Sequence, residues 1–190
     1  LQAANVVMNS PGHAAQYLKP NSKDAFERIE RYWRRSVWET FVDALSTVTV
    51  AGTRAWREQN RVTNRSALSL LKTLRPGQVG AIYADPPYTR DQYHRYYHVF
   101  ETMHRYNYPD ANGEGRTPNS QSMKASSFSR ASEVVASFQK LFRAAARLDC
   151  PLVLSYPTNG LLVSRGVTPI EAARPWLDVC DHLRLDHSHS

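Results

Sequence analysis

Asp85-Pro86-Pro87-Tyr88 is the stretch of this chain best equipped for chemistry. It stands directly behind an apolar run, Val79-Gly80-Ala81-Ile82-Tyr83-Ala84, of the kind that forms a buried strand. Neither proline can donate a ladder hydrogen bond, so a strand through 79–84 must end at the motif. An acid, a stiff turn and an aromatic ring are thereby presented together at a strand's carboxyl end. In open α/β sheets that is where ligands bind.

These residue types suit a planar base carrying an exocyclic amino group. The amino nitrogen of adenine or cytosine is a poor nucleophile, because its lone pair is delocalised into the ring. A carboxylate at Asp85 accepts one hydrogen bond from that amino group. The Pro86 carbonyl, freed from ladder pairing by the turn, accepts another. Two acceptors bias the nitrogen toward tetrahedral geometry and stabilise the charge that develops during attack on a methyl donor. Tyr88 offers a stacking face for a nucleotide flipped out of its duplex. The prolines, Pro87 included, hold the constellation preorganised. Asp-Pro is also a common turn opener, so the alternative is a strand-terminating turn with an incidental acid. The preceding apolar strand, the downstream aromatics and a basic upstream half favour the functional reading.

The elements that must position this turn are legible in part. Residues 24–46 predict a helix, with Phe26, Ile29, Trp33, Val37, Phe41 and Leu45 on one face and Arg28, Arg31, Arg34 and Arg35 on the other. Thr47-Val48-Thr49-Val50 is β-prone. A helix opening near Asn64 as cap carries Leu68, Leu71 and Leu74 and stops at Pro76-Gly77. Residues 93–103 predict an aromatic helix, and 107–127 a long polar loop. Val134, Phe138, Leu141, Ala145 and Leu148 mark an amphipathic helix capped by Ser129. Leu152–Tyr156 predicts a second buried strand, Pro157–Gly160 a turn, 168–178 a helix and 180–186 a third strand. Strands alternating with helices imply an α/β fold with a parallel sheet and crossover helices.

Bulk properties narrow the setting. A chain of 190 residues with 42% hydrophobic and 22% charged residues can bury one real core. No run of about 18 apolar residues or signal-peptide pattern occurs, so neither a membrane span nor secretion is expected. Cys150 and Cys180 are too few for a disulfide framework and read as small apolar residues of a reducing, cytoplasmic compartment. The net charge of +7 is uneven: residues 1–95 carry 14 Lys and Arg against 8 Asp and Glu, and residues 96–190 carry 10 against 9. An arginine-rich half suggests a polyanion, most simply nucleic acid. The start at Leu1 and the stop at Ser190 read as cuts through a longer protein.

Other side chains compete with the motif for a functional role. His94 and His98, with His104 nearby, are spaced for a shared helix face, but no Glu lies between them in the metalloprotease pattern and no cysteine is near. No metal is expected. Arg31, Arg34, Arg35, Arg54, Arg57, Arg61 and Arg65 are candidate phosphate contacts. The polar loop, with Arg116 and Lys124, suits entry into a groove.

Tyr83-Ala84-Asp85-Pro86-Pro87-Tyr88, followed by Tyr93 and by Tyr97-His98-Val99-Phe100-Glu101-Thr102, resembles the adenine-specific amino-methyltransferases of DNA. Leu152–Tyr156 with Asn159-Gly160 resembles that family's next sheet strand and its loop. The similarity covers about residues 60–162. It implies a Rossmann-like fold, S-adenosylmethionine as cofactor, catalytic roles for Asp85, Pro86, Pro87 and Tyr88, and a base-pocket or lid role for Tyr93 and Tyr97. It also implies double-stranded DNA with base flipping as substrate and a cognate restriction endonuclease as partner. Two departures stand out. Ser66 occupies the place where the family often has an acidic residue. The family's cofactor motif, an aromatic followed by spaced glycines at a strand end, does not occur here, and Gly113 and Gly115 follow no strand pattern. Cofactor-binding residues are therefore unassigned. The chain reads as a fragment lacking its N-terminal cofactor-binding part, with 1–58 a partial target-recognition insert or helical segment and 59–190 the truncated catalytic domain.

The resulting expectation is a DNA methyltransferase acting on adenine N6. The rivals are the same chemistry on cytosine N4 or an RNA base, a non-catalytic nucleic-acid-binding protein of this fold, and a structural domain with an incidental turn.

Overall fold

Prolines set the length of the only parallel pairing among the described residues. In the computed structural model, which describes residues 20, 22–92, 94–112, 117–118 and 125–185, strand β1 (Ile82–Ala84) lies parallel to strand β4 (Leu152–Leu154). Ile82 pairs with Leu152, Tyr83 with Val153 and Ala84 with Leu154. The Ile82 amide donates to the Pro151 carbonyl at 2.9 Å, and the Ser155 amide donates to the Ala84 carbonyl at 3.0 Å. Pro151 can accept but not donate, and Pro86 and Pro87 cannot donate either, so the ladder ends close to both. The run 79–84 therefore contributes three strand residues, not six.

Among the described residues the helices, in chain order, are α1 (Lys23–Trp33), α2 (Val37–Ser46), α3 (Arg54–Glu58), α4 (Ala67–Thr73), α5 (His94–Arg105), α6 (Val134–Leu148), α7 (Leu161–Ser164) and α8 (Pro169–Ala173). A short antiparallel pair, β2 (Ala111–Asn112) and β3 (Thr117–Pro118), lies within the segment expected as loop, and a 3-10 turn spans Ser127–Ser129. The described residues fall into two compact units. One is drawn from 1–61 and 93–123, and the other from 62–92 and 124–186.

The core lies in the second unit and is built around α6. Val134, Phe138, Leu141, Phe142, Ala145 and Leu148 are buried at helical spacing. They meet Leu71 of α4, Phe128 of the 3-10 turn, Leu161 and Leu162 of α7, and Ala172 and Ala173 of α8. Ile82, Ala84, Leu152 and Leu154 pack on this core, while Tyr83 and Val153 on the other sheet face are 70% and 58% exposed. Asp149 ends α6 in the left-handed region, φ 51°, a conformation Asp tolerates better than most side chains. The Arg147 guanidinium donates to the Leu71 and Leu74 carbonyls at 2.7 and 3.0 Å, satisfying the open end of α4.

Several elements differ from expectation. The single helix over 24–46 is two helices, because Ser36 takes extended backbone and its hydroxyl accepts from the Glu39 amide at 3.1 Å, opening α2 afresh. Ser66, not Asn64, holds the N-cap position of α4. Ser129 sits in the 3-10 turn, and Glu133 precedes α6. Residues 47–50 and 180–185 form no strand; Val48 and Val50 are each 61% exposed with no neighbour strand, and β-propensity without a partner does not make a sheet. The helix expected over 168–178 spans Pro169–Ala173, and α7 has no counterpart among the expected elements.

Candidate active site

The motif leaves β1 at the carboxyl end of the parallel pair, as its sequence requires. Asp85 is exposed, Pro86 buried, Pro87 half-buried and Tyr88 39% exposed. Among the described residues, neither the Asp85 carboxylate nor the Pro86 carbonyl is engaged by another protein group. The exposed Asp85 carboxylate thus remains available to a ligand, beside a partly exposed Tyr88.

Tertiary contacts fix this turn at two places. The Tyr88 carbonyl accepts from the Leu161 amide at 2.7 Å, joining the motif to the first residue of α7. Further along, Gln92 Oε1 accepts from the Ser126 amide at 2.8 Å, and the Asp91 carbonyl accepts from Ser129 Oγ at 3.4 Å. The 3-10 turn is itself tied to α6, where Ser137 Oγ meets Ser127 Oγ at 2.8 Å. The segment after the strand is therefore bound to the core on both sides of Thr89 and Arg90.

Behind α7 lies Tyr156, in the loop leaving β4. Its ring stands edge-on to Phe138, with centroids 5.0 Å apart, and its hydroxyl accepts from the Leu162 amide at 2.9 Å. Burial pushes the phenol above its ordinary pKa, against an opposing effect of the Leu162 and Leu161 backbone. Gly160 is required by close approach: a Cβ there would lie 2.7 Å from Tyr156 Cζ and 2.9 Å from its hydroxyl oxygen.

Of the remaining candidates, Tyr97 lies on α5 in the other compact unit, 49% exposed and stacked on Phe100 with ring centroids 6.1 Å apart. His98 on the same helix is buried. Tyr93, Arg116 and Lys124 lie outside the described residues. Among the described residues no group of three or more His, Cys, Asp or Glu side chains is placed to hold a metal ion. No described helix is long and apolar enough to cross a membrane. Sequence reasoning missed Tyr156, Gly160, Leu161, Gln92 and Ser126 as residues that support the site. The turn signal at 157–160 marks the loop, but nothing local to it points to Tyr88 as its partner.

No protein-family model and no solved structure matches the chain. It is 27% identical over 123 residues to the Modification methylase LlaI of Lactococcus lactis subsp. lactis. That match covers 65% of this chain and 19% of the methylase, so the chain spans about a fifth of the length of the curated relative it matches.

Proposed function

We propose that this chain is the target-base half of an S-adenosylmethionine-dependent DNA methyltransferase of Rossmann-like α/β fold, acting on adenine N6. The observation that carries the reading is an acid-Pro-Pro-Tyr turn, at the carboxyl end of a parallel strand, with two acceptors unengaged among the described residues. Similarity to a modification methylase supports it.

On this reading the flipped adenine stacks on Tyr88. The Asp85 carboxylate and the Pro86 carbonyl accept hydrogen bonds from the two N6 hydrogens, draw the nitrogen out of conjugation and stabilise the positive charge that grows on it. The prolines keep the acceptors at fixed spacing, so little reorganisation is needed as charge develops. Exposure of Asp85 at the turn supports a route for the released proton toward solvent.

The described residues do not fit the methyl donor's cradle. None of their strand ends carries spaced glycines, and the space beside Gly160, the glycine after β4, is filled by the Tyr156 ring. No step is therefore derived for the donor. Its binding is assigned to other parts of a longer enzyme, in which 1–58 belongs to target recognition and 59–190 to catalysis.

The test is methyl transfer from radiolabelled S-adenosylmethionine to unmethylated DNA by the enzyme containing this chain, beside Asp85→Ala. Label on adenine N6 that falls by about 10²–10³-fold in the variant, with unchanged circular dichroism, is the expected result. Label on cytosine N4 or on RNA keeps the mechanism and changes the substrate. Nucleic-acid binding without transfer would replace the enzyme reading by a non-catalytic binding module, the alternative favoured by the missing glycine cradle.

A further inference from the structure

We infer that Tyr156 is a positioning residue for the target-base turn, acting through α7 on Tyr88. The consequence for catalysis rests on the methyltransferase reading above; the structural link does not.

The link is a short chain of contacts. Parallel pairing brings the exits of β1 and β4 side by side, and the Ser155–Ala84 hydrogen bond carries that proximity one residue past the strands. Tyr156 follows at once. Phe138, fully buried, fixes its ring edge-on, and Phe138 is held in turn by Phe128, edge-on at 5.2 Å. The phenol oxygen so placed accepts from the Leu162 amide. The neighbouring Leu161 amide is then aimed at the Tyr88 carbonyl. Gly160 lets the loop close over the ring, because any side chain there meets the phenol.

Core burial of Leu161 and Leu162 is the competing explanation for where α7 sits. The two differ in direction. Apolar burial holds a helix against a surface without fixing its direction, whereas a hydrogen bond constrains both distance and angle. A methyl-transfer geometry built on Asp85 and Tyr88 needs the second kind of constraint.

Tyr156→Phe removes the acceptor and keeps the ring. Amide hydrogen exchange of the nitrogen-15-labelled chain reads the outcome directly. The expected result is faster exchange of both Leu162 and Leu161, by about tenfold, with the α6 amides through Leu148 unchanged. Gly160→Ala, which drives a methyl into the ring, is expected to speed exchange at the same two amides. In methyl-transfer assays of the enzyme, Tyr156→Phe is expected to lower kcat about tenfold while KM for DNA stays within about twofold. Unchanged Leu161 protection in Tyr156→Phe would overturn the inference. So would faster exchange with kcat intact in an enzyme that transfers methyl groups. If the unsubstituted enzyme transfers none, the function proposed above fails, and Leu161 exchange still decides whether Tyr156 holds the turn.

Discussion

Two acceptors without partners among the described residues, and a partly exposed ring, define what the Asp85–Tyr88 turn offers a ligand. An acid idle in a strand-terminating turn would be free to pair with any nearby cation, and the chain has many. Asp85 pairs with none among the described residues. Tyr156, by contrast, is fully used, and its titration gives a residue-scale prediction. Burial holds its pKa above the ordinary 10.0, so the folded state favours the neutral phenol. The unfolded chain therefore loses this proton first as pH rises. The stability contributed is complete below the ordinary value and is lost as pH climbs from there through the raised folded pKa. Urea midpoints of the unsubstituted chain and Tyr156→Phe, measured from about pH 8 to about pH 11, are expected to differ by a constant below the phenol range. Above it the difference should shrink. A constant difference throughout would mean that the phenol titrates alike in both states.

At the scale of elements, the helices divide by what they bury. In α6, 15 residues place seven against the core, and the apolar face decides the helix. In α1 and α2 no residue is buried, although each has a pronounced apolar side: Trp33 is 59% exposed and Trp38 70%. Local devices sustain them. The Ser22 hydroxyl accepts from the Ala25 amide at 3.2 Å, Glu30 pairs with Arg34 at 2.9 Å, and Ser36 caps α2. A cap is worth about 1 kcal/mol and an exposed i,i+4 pair about 0.3–0.5 kcal/mol, which leaves helices of this length marginal. Amides of α1 and α2 are therefore expected to exchange at least about a hundredfold faster than those of α6. Equal protection would show that the apolar sides of α1 and α2 are covered in solution.

At the scale of the whole molecule, positive charge is concentrated where burial is least. On α1, Arg28 and Arg31 have no acidic partner among the described residues, whereas Arg34 and Arg54 are held by Glu30 and Glu58. Arg35 lies over the Tyr32 ring, 4.5 Å from its centroid. On the DNA-binding reading Arg31 is a candidate phosphate contact, and Arg28 lies three residues before it on the same helix. Replacing both by glutamine is expected to weaken duplex binding uniformly across sequences. The slope of log affinity against log salt should fall by about 0.9 for each phosphate left without its arginine. An unchanged slope would assign them to a solvated face. Single substitution of Arg34 is expected to do less, because Glu30 already neutralises it.

Whatever acts over a few residues was determined by the sequence alone. The motif, the stop its prolines impose on the preceding strand, the amphipathic face of α6 and the helical nature of 24–46 follow from proline geometry and the spacing of apolar residues, whereas the caps expected at Asn64 and Ser129 fall at Ser66 and Glu133. The break at Ser36 is a local capping event inside a pattern whose periodicity runs unbroken across it. Tertiary structure decided the rest. Nothing near Ala84 in sequence names Leu154 as its partner, nor does anything near Tyr88 name Leu161. The β-prone runs at 47–50 and 180–185 look as good locally as 152–154, yet only the last has a neighbour to pair with among the described residues. Propensity and capping are settled within a turn or two of chain, whereas pairing, burial and the aim of Tyr156 depend on residues that meet only when distant segments pack.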